Sequence, residues 1–359
     1  MMGLRRLLDD LQPFFQTRPA WRPFRPLFES VERFLYSSSA QTTSAPHVRH
    51  HGNAQRLDWL YVLASLPAAF AGLRLVGHSQ GLALFVPLLA VAVLTAVAWE
   101  WIFALVRGRR YGHGVFLSAW LFALVAPASL PLYQAALAMS FGFVFGRAVF
   151  GGAGRNIVNP AVLALVFLYV AFPASGHTAG GTVLEHARNG GLDALHAAGI
   201  DWWAAFLTDP SAGIGPASTA AALLGAALLL AARAASWRIM LGAALGLAAA
   251  AIAARALAAD ISPVYALPWH WHLVAGGYVF AVAFFATDAA CAPVTNAGRW
   301  IYGLLIGALT LMIRAGESDG FSAAAFALLF ASIIAPLADF VAIEQNVRRR
   351  RKRTGSAGA

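Results

Sequence analysis

The chain has 359 residues, of which 59% are apolar and only 12% charged, against about 25% charged in a soluble globular domain, so it reads as an integral membrane protein. Its single cysteine, Cys291, excludes an internal disulfide and an iron–sulfur cluster ligated by this chain alone. The net charge of +10 does not point to nucleic acid, because the arginines stand beside apolar runs, where they orient a membrane protein.

Residues 1–57 form an amphipathic N-terminal segment rich in Arg, Pro and Phe. Within it Leu4–Phe15 reads as a short helix lying on the membrane or against a partner, and Ser37–Ser44 as a polar linker. The first apolar run starts near Asp58, too far along for a cleavable signal peptide. A span takes about 20 apolar residues, fewer if broken. Ten are expected, near 58–77, 81–106, 115–128, 131–149, 157–173, 217–232, 238–258, 271–287, 299–314 and 322–343. The third is short and runs into Pro127-Ala-Ser-Leu-Pro131, which predicts a half-helix and a break. Phe150–Ala161 reads F-G-G-A-G-R-N-I-V-N-P-A, too dense in Gly, Asn and Pro for the interior of a regular helix. In a bilayer such backbone persists only where protein or a water-filled cavity satisfies it, and it tends to line a binding site. A second interrupted stretch, Thr287–Trp300, separates the eighth and ninth spans.

Orientation follows from the arginines. The first 57 residues hold eight Arg against four acids, and Arg348–Arg353 is a run of six basic residues. Both ends are therefore expected in the cytoplasm, which requires an even number of spans. The tail also suits anionic lipid headgroups. Ten spans place Arg107, Arg109, Arg110, Arg147, Arg155, Arg233, Arg238 and Arg299 on the same side. They place 174–216, with Glu185, Asp193, Asp201 and Asp209 against Arg188, outside. The expected organisation is a cytoplasmic segment 1–57, a membrane domain 58–343 and a basic tail 344–359. The membrane domain divides into one repeat at 58–173, an external loop at 174–216 and a second repeat at 217–343. Five spans per half, with broken regions at Ala126–Pro131 and Ala286–Pro293, suggest inverted repeats in an all-α polytopic fold with broken helices.

Some polar side chains stand out. Asn156 and Asn159 are suited to hydrogen-bond a ligand, and Asn159 also suits the N-cap of the fifth span. Asp58, Glu100, Asp288 and Asp339 fall within or at the ends of spans, where carboxylates are costly and tend to mark ion paths. Asp58 reads as a boundary residue, and Glu100 as an interfacial partner of Arg107. Asp288 suits a half-helix cap, and Asp339 a pairing with the tail arginines. His270 and His272 flank Trp271 at an expected interface, and the ten histidines show no metal-ligating face. No metal site is expected. No dinucleotide fingerprint, phosphate loop, zinc-protease motif or nucleophile elbow occurs.

Several of these segments, in order, resemble the NqrB subunit of the sodium-translocating NADH:quinone oxidoreductase, with the RnfD subunit of the Rnf complex the next best match. They are A-P-H-V-R (Ala45–Arg49), L-P-L-Y-Q-A-A-L (Leu130–Leu137), F-G-G-A-G-R-N-I-V-N-P-A, A-S-W-R-I-M-L-G (Ala235–Gly242), W-H-L-V-A-G-G-Y (Trp271–Tyr278), A-T-D (Ala286–Asp288), T-N-A-G-R-W (Thr295–Trp300) and A-P-L-A-D-F (Ala335–Phe340). The resemblance implies a ten-span inverted-repeat fold in the bacterial inner (cytoplasmic) membrane. It implies a subunit active only within a multi-subunit redox complex, in which a partner oxidises NADH and electron transfer to quinone drives Na+ or H+ transport. It implies covalent FMN, noncovalent riboflavin and part of the quinone site.

By this resemblance, Gly151 and Gly152 match glycines associated with quinone, and Asp288 and Asp339 match acids associated with sodium passage. Small residues let a flat headgroup approach the backbone. The family attaches flavin within Asp-x-x-Ser/Thr-Gly-Ala-Thr, which puts Thr182 at the attachment point, but Gly176, Ala179 and Gly181 depart from that pattern. Gly215 and Ser218 match the family's polar turn opening the sixth span, where Pro216 and Ala217 replace Glu and Thr and Pro216 suits a first helical turn. A Lys-Glu pair common in the family is Arg147-Ala148 here. These departures leave two further readings: a flavin-free channel or transporter on the same scaffold, and an assembly subunit whose site has decayed.

Overall fold

The computed structural model describes residues 54–108, 112–176, 183–209, 213–316 and 320–356, and these contain helices, turns and loops but no strand. The first half holds α1 (Ala54–Val76), α2 (His78–Arg107), α3 (Val115–Val125), α4 (Leu132–Phe143) and α5 (Pro160–Ala171). Two helices follow, α6 (Val183–Ala197) and α7 (Trp202–Leu207). The second half holds α8 (Thr219–Ala231), α9 (Trp237–Leu257), α10 (Trp269–Val274), α11 (Asn296–Arg314) and α12 (Gly320–Ser356). Five segments are long and apolar enough to cross a membrane: Gln80–Arg107, Trp237–Leu257, Trp269–Ala286, Asn296–Arg314 and Phe321–Arg348. The apolar helices α3, α5 and α8 are shorter. α12 continues without interruption past 343 into the basic tail.

The half-helix expected in the first half is present. α3 stops at Val125, and α4 starts after Pro131. The eighth span departs from expectation. The sequence predicts one span near 271–287, whereas α10 ends at Val274, the chain turns through Ala275–Gly277 and the helix resumes at Tyr278. Gly276 and Gly277 have φ of 65° and 64°, a left-handed backbone that glycine adopts readily. Arg314, 1% exposed, closes this break. It donates to the carbonyls of His272 (2.6 Å) and Ala275 (2.7 Å), with its guanidinium 5.6 Å from the Tyr278 ring centre. Carbonyls at a helix C-terminus lack helical partners, and a cation there complements the dipole. Trp271 and His272 are buried in this packing, while Trp269 is exposed.

Both halves also contain a π-turn, Val144–Ala148 and Val282–Ala286, each immediately before a polar loop. The wider π geometry often marks functional positions in helical proteins. The halves meet where α1 packs on α8 and α5 on α12. Between them lies an aromatic core in which Phe280 and Phe284 stand 4.6 Å apart, and Phe285 and Phe321 5.9 Å apart.

The tightest helix pair is α9 with α11. Each carries two glycines four residues apart, Gly242 and Gly246 facing Gly303 and Gly307. A Cβ on Gly307 would stand 2.3 Å from the Ala243 carbonyl oxygen, and one on Gly246 2.3 Å from that of Leu304. Small residues at this spacing let two helix backbones touch, which is how helices associate where lipid removes the hydrophobic drive. Overpacking typically costs about 1–3 kcal/mol. Gly307→Leu is therefore expected to lower the melting temperature of the detergent-purified protein by several degrees. Gly316→Ala, whose added Cβ would meet nothing nearer than 3.6 Å, leaves it unchanged.

Candidate functional site

The loop after the first π-turn is built on left-handed glycines, with φ of 111° at Gly151, 92° at Gly152 and 79° at Gly154. A Cβ on Gly152 would meet nothing within 4 Å, so this backbone faces open space. That space is a cavity of about 180 Å³ bounded by Glu100, Phe103, Ala104 and Arg107 of α2, by Gly112, and by Ala148 and Gly151–Ala153.

The cavity wall carries charge. Glu100 and Arg147 form an ion pair at 3.2 Å, their side chains 9% and 3% exposed. The second Glu100 oxygen accepts the Gly112 N–H at 2.9 Å. Arg147 also donates to the His113 carbonyl and lies 5.2 Å from the Phe143 ring centre. His113 in turn stands 3.1 Å from Asp58, which therefore does more than mark a boundary. The sequence reading paired Glu100 with Arg107; the structure pairs it with Arg147. Arg107 is seven residues along the same helix, an axial separation of roughly 10 Å. It donates instead to the Ala148 carbonyl and stacks on Phe103. Arg147 reaches Glu100 because α2 packs against α4 and its π-turn.

Asn159 is the N-cap of α5, its Oδ1 accepting the Ala161 N–H at 2.9 Å. Its amide donates to Asp288 at 2.8 Å, joining the two interrupted loops across 129 residues of chain. Asp288 also accepts the Ala290 N–H at 3.0 Å. In this loop, outside both helical segments, burial raises the Asp288 carboxyl above the ordinary range, and the bonds from Ala290 and Asn159 oppose that rise. Tyr61 of α1 donates to the Thr287 carbonyl at 2.7 Å. The Asn156 Oδ1 is buried without a hydrogen-bond partner among the described residues.

Asp339 binds the loop before α11, accepting N–H bonds from Val294 (2.8 Å) and Thr295 (2.9 Å) and the Thr295 hydroxyl proton. Thr295 caps α11 by accepting the Gly298 N–H at 3.0 Å. The side chains of the tail beyond Arg348 lie outside the described residues; among those described, Asp339 is held by this loop.

Thr182, the expected flavin-attachment residue, lies outside the described residues. Gly215 and Ser218 lie just before α8. Ser218 is its N-cap, accepting the Ala221 N–H at 3.3 Å. Gly215 donates to the Leu124 carbonyl at 2.7 Å, and a Cβ there would stand 2.8 Å from the Phe280 ring. Pro216 sits in the turn before the cap rather than in the first helical turn. Among the described residues, Ser218 is committed to its helix and Gly215 to packing on Leu124 and Phe280. No cluster of three or more metal-ligating side chains occurs among the described residues.

Sequence reasoning thus found the glycine loop and both interrupted stretches, but missed the Glu100–Arg147 pair and the role of Arg314. The usable signal was an isolated acid inside an apolar helix, which needs a cation from somewhere.

A polytopic helical membrane protein with broken segments around a charged pocket is the class defined so far. Residues 41–348 match the model of the NQR2, RnfD, RnfE family, and the chain belongs to that family. It is 35% identical to the NqrB subunit of the Na(+)-translocating NADH-quinone reductase of Pseudomonas paraeruginosa, over 99% of this chain and 100% of the relative. It is 35% identical to the NqrB subunit of Chromohalobacter salexigens, over 98% and 97%, and 34% identical to that of Haemophilus influenzae, over 98% and 100%.

Removing one partner of a buried ion pair leaves an uncompensated charge, at a cost of about 3–5 kcal/mol, whereas replacing both with apolar residues is often neutral. Arg147→Leu is expected to lower thermal stability sharply. The double variant Glu100→Leu/Arg147→Leu recovers most of the loss, which differential scanning fluorimetry in detergent checks.

Proposed function

We propose that this chain is the quinone-site and flavin-carrying subunit of an ion-translocating NADH:quinone oxidoreductase. Its place is the bacterial inner membrane, in ten spans forming two inverted repeats with both termini cytoplasmic. It acts only with the other subunits of a membrane redox complex, one of which oxidises NADH. The observation that carries this reading is the cavity at Gly151 and Gly152, where bare backbone lies beside a carboxylate and a guanidinium. A planar ring with polar oxygens fits such a wall better than a lipid tail does. Asn156, with its unpaired buried oxygen, and Asn159 extend the polar side of the same loop. For the cation, Na+ or H+, the Asn159–Asp288 contact supports a path between the two interrupted loops, with Asp339 at its edge.

Covalent FMN at Thr182 is part of the proposal, with Gly215 and Ser218 shaping the adjoining turn and riboflavin held noncovalently. Thr182→Val is expected to abolish a fluorescent band in a denaturing gel.

A second reading, a subunit like RnfD of the Rnf complex or a flavin-free transporter on the same scaffold, is favoured by one observation. Gly176, Ala179 and Gly181 break the attachment pattern, and Ser218 is committed to its helix. A native gel band without flavin would favour that reading.

A side chain at Gly152, a residue of the cavity wall, strains a left-handed backbone. Gly152→Leu is therefore expected to slow quinone reduction at least tenfold while NADH still reduces the electron carriers of the assembled complex at the normal rate. Loss of both rates would mean misassembly.

A further inference from the structure

Glu100 is not accounted for by helix packing. A buried carboxylate on a membrane helix is costly and tends to be functional. This one is 7% exposed, yet it forms part of the cavity wall beside Gly151 and Gly152. Its two oxygens are held by different elements, one by the Gly112 N–H and one by Arg147. The carboxylate is thus fixed at the cavity rather than free to swing away.

The charged groups around it are Arg107 on the same helix, Arg147 on the π-turn after α4, His113 in the loop before α3, and Asp58 on α1. α3 and α4 carry no charged side chain. His113, its side chain 35% exposed, stands at the rim. It contacts Asp58 through its ring and Arg147 through its carbonyl. Charged groups therefore stand between a partly exposed edge and the cavity, joined by the His113 backbone carbonyl.

We infer that Glu100 is a catalytic proton carrier for quinone reduction in this pocket, taking a proton from water at the cavity mouth and handing it to a quinone oxygen. The inference rests on the quinone-site reading above. Reducing a quinone to a quinol consumes two electrons and two protons. The electrons come from the reduced carriers of the assembled complex, fed by NADH. In the resting pocket Glu100 is a carboxylate paired with Arg147; it first takes a proton from a water at the cavity mouth, and as negative charge builds on the quinone oxygen that O–H bond breaks and a quinol O–H bond forms. The carboxylate left behind is again held by Arg147 and the Gly112 N–H. The other quinone oxygen takes its proton from water at the cavity mouth. Arg147 is a positioning residue here, since it touches Glu100 and not the cavity.

The test uses the assembled complex with a short-chain ubiquinone and a photoactivatable quinone. Glu100→Gln keeps the size of the side chain and an acceptor for Gly112. The expected result is unchanged carrier reduction by NADH, a KM for quinone within about threefold, and a kcat lower by about 10²-fold or more, the usual weight of general acid catalysis. Glu100→Ala should regain rate when formate or acetate is added, a rescue that a purely structural role would not give. Quinone labelling at Gly151–Gly152 with wild-type kcat in Glu100→Gln overturns the proton carrier and leaves the pocket reading standing. Absence of that label in the unmodified complex overturns both. If neither variant assembles, Glu100→Asp decides: a lower kcat at unchanged KM supports the role, and wild-type kcat overturns it.

Discussion

A chain that stops its helices inside a membrane protein must find partners for the amides and carbonyls it releases, because lipid offers none. The interruptions in this molecule are settled largely by side chains from distant parts of the sequence. Arg314 holds the carbonyls at the end of α10, and Arg107 holds that of Ala148. Tyr61 reaches the Thr287 carbonyl, and Arg147 that of His113. Asp339 takes the amides before α11, while Asn159 and Ser218 cap their own helices. These bonds have a common consequence. The broken segments are tied to the helices around them, and the glycine loop is tied to the turn before it, the Gly151 and Gly152 amides donating to the carbonyls of Ala148 and Arg147.

That constraint explains what was legible in the sequence. Gly, Pro and Asn clusters report a break locally, so the half-helix at α3 and the loop at Gly151 could be read directly. Asn159 could be read as a cap because a cap is a local device, followed here by Pro160 at the first helical position. The break at Ala275–Gly277 was hidden. Its two glycines look ordinary within an apolar run, and the residue that makes the break tenable, Arg314, lies 39 positions beyond Ala275. The Glu100–Arg147 pair was hidden for the same reason: its partners are 47 residues apart, and a helix-based rule directs attention to Arg107 instead.

The ion pair also changes how the pocket is understood. Reading Arg147-Ala148 in line suggests a site that has lost its acid. In three dimensions the acid arrives from α2, next to Ala148 in the same cavity wall. A divergent local motif therefore does not imply a decayed site. The glycine loop supplies shape, α2 supplies a carboxylate and a guanidinium, and Arg147 holds the carboxylate in place. The proposal that this pocket receives quinone depends on that combination rather than on the glycines alone.

The two membrane-associated aspartates separate on the same physical grounds. Asp339 is filled by two backbone amides and a hydroxyl of the loop before α11, so moving it would release three donors at once. Such a carboxylate is suited to fixing the loop at the edge of the proposed path. Asp288 has one backbone amide, and its remaining bonds come from the side chains of Asn159 and Cys291, the latter at 3.8 Å. Side chains change rotamer without unravelling a helix. If a cation passes between the two interrupted loops, Asp288 is the carboxylate able to offer it an oxygen, and Asn159 is the partner that must let go. Because Asn159 also starts α5 directly after the glycine loop, a movement there would be felt at the pocket beside Gly151 and Gly152, so the proposed quinone site and the proposed cation path would share one mechanical element.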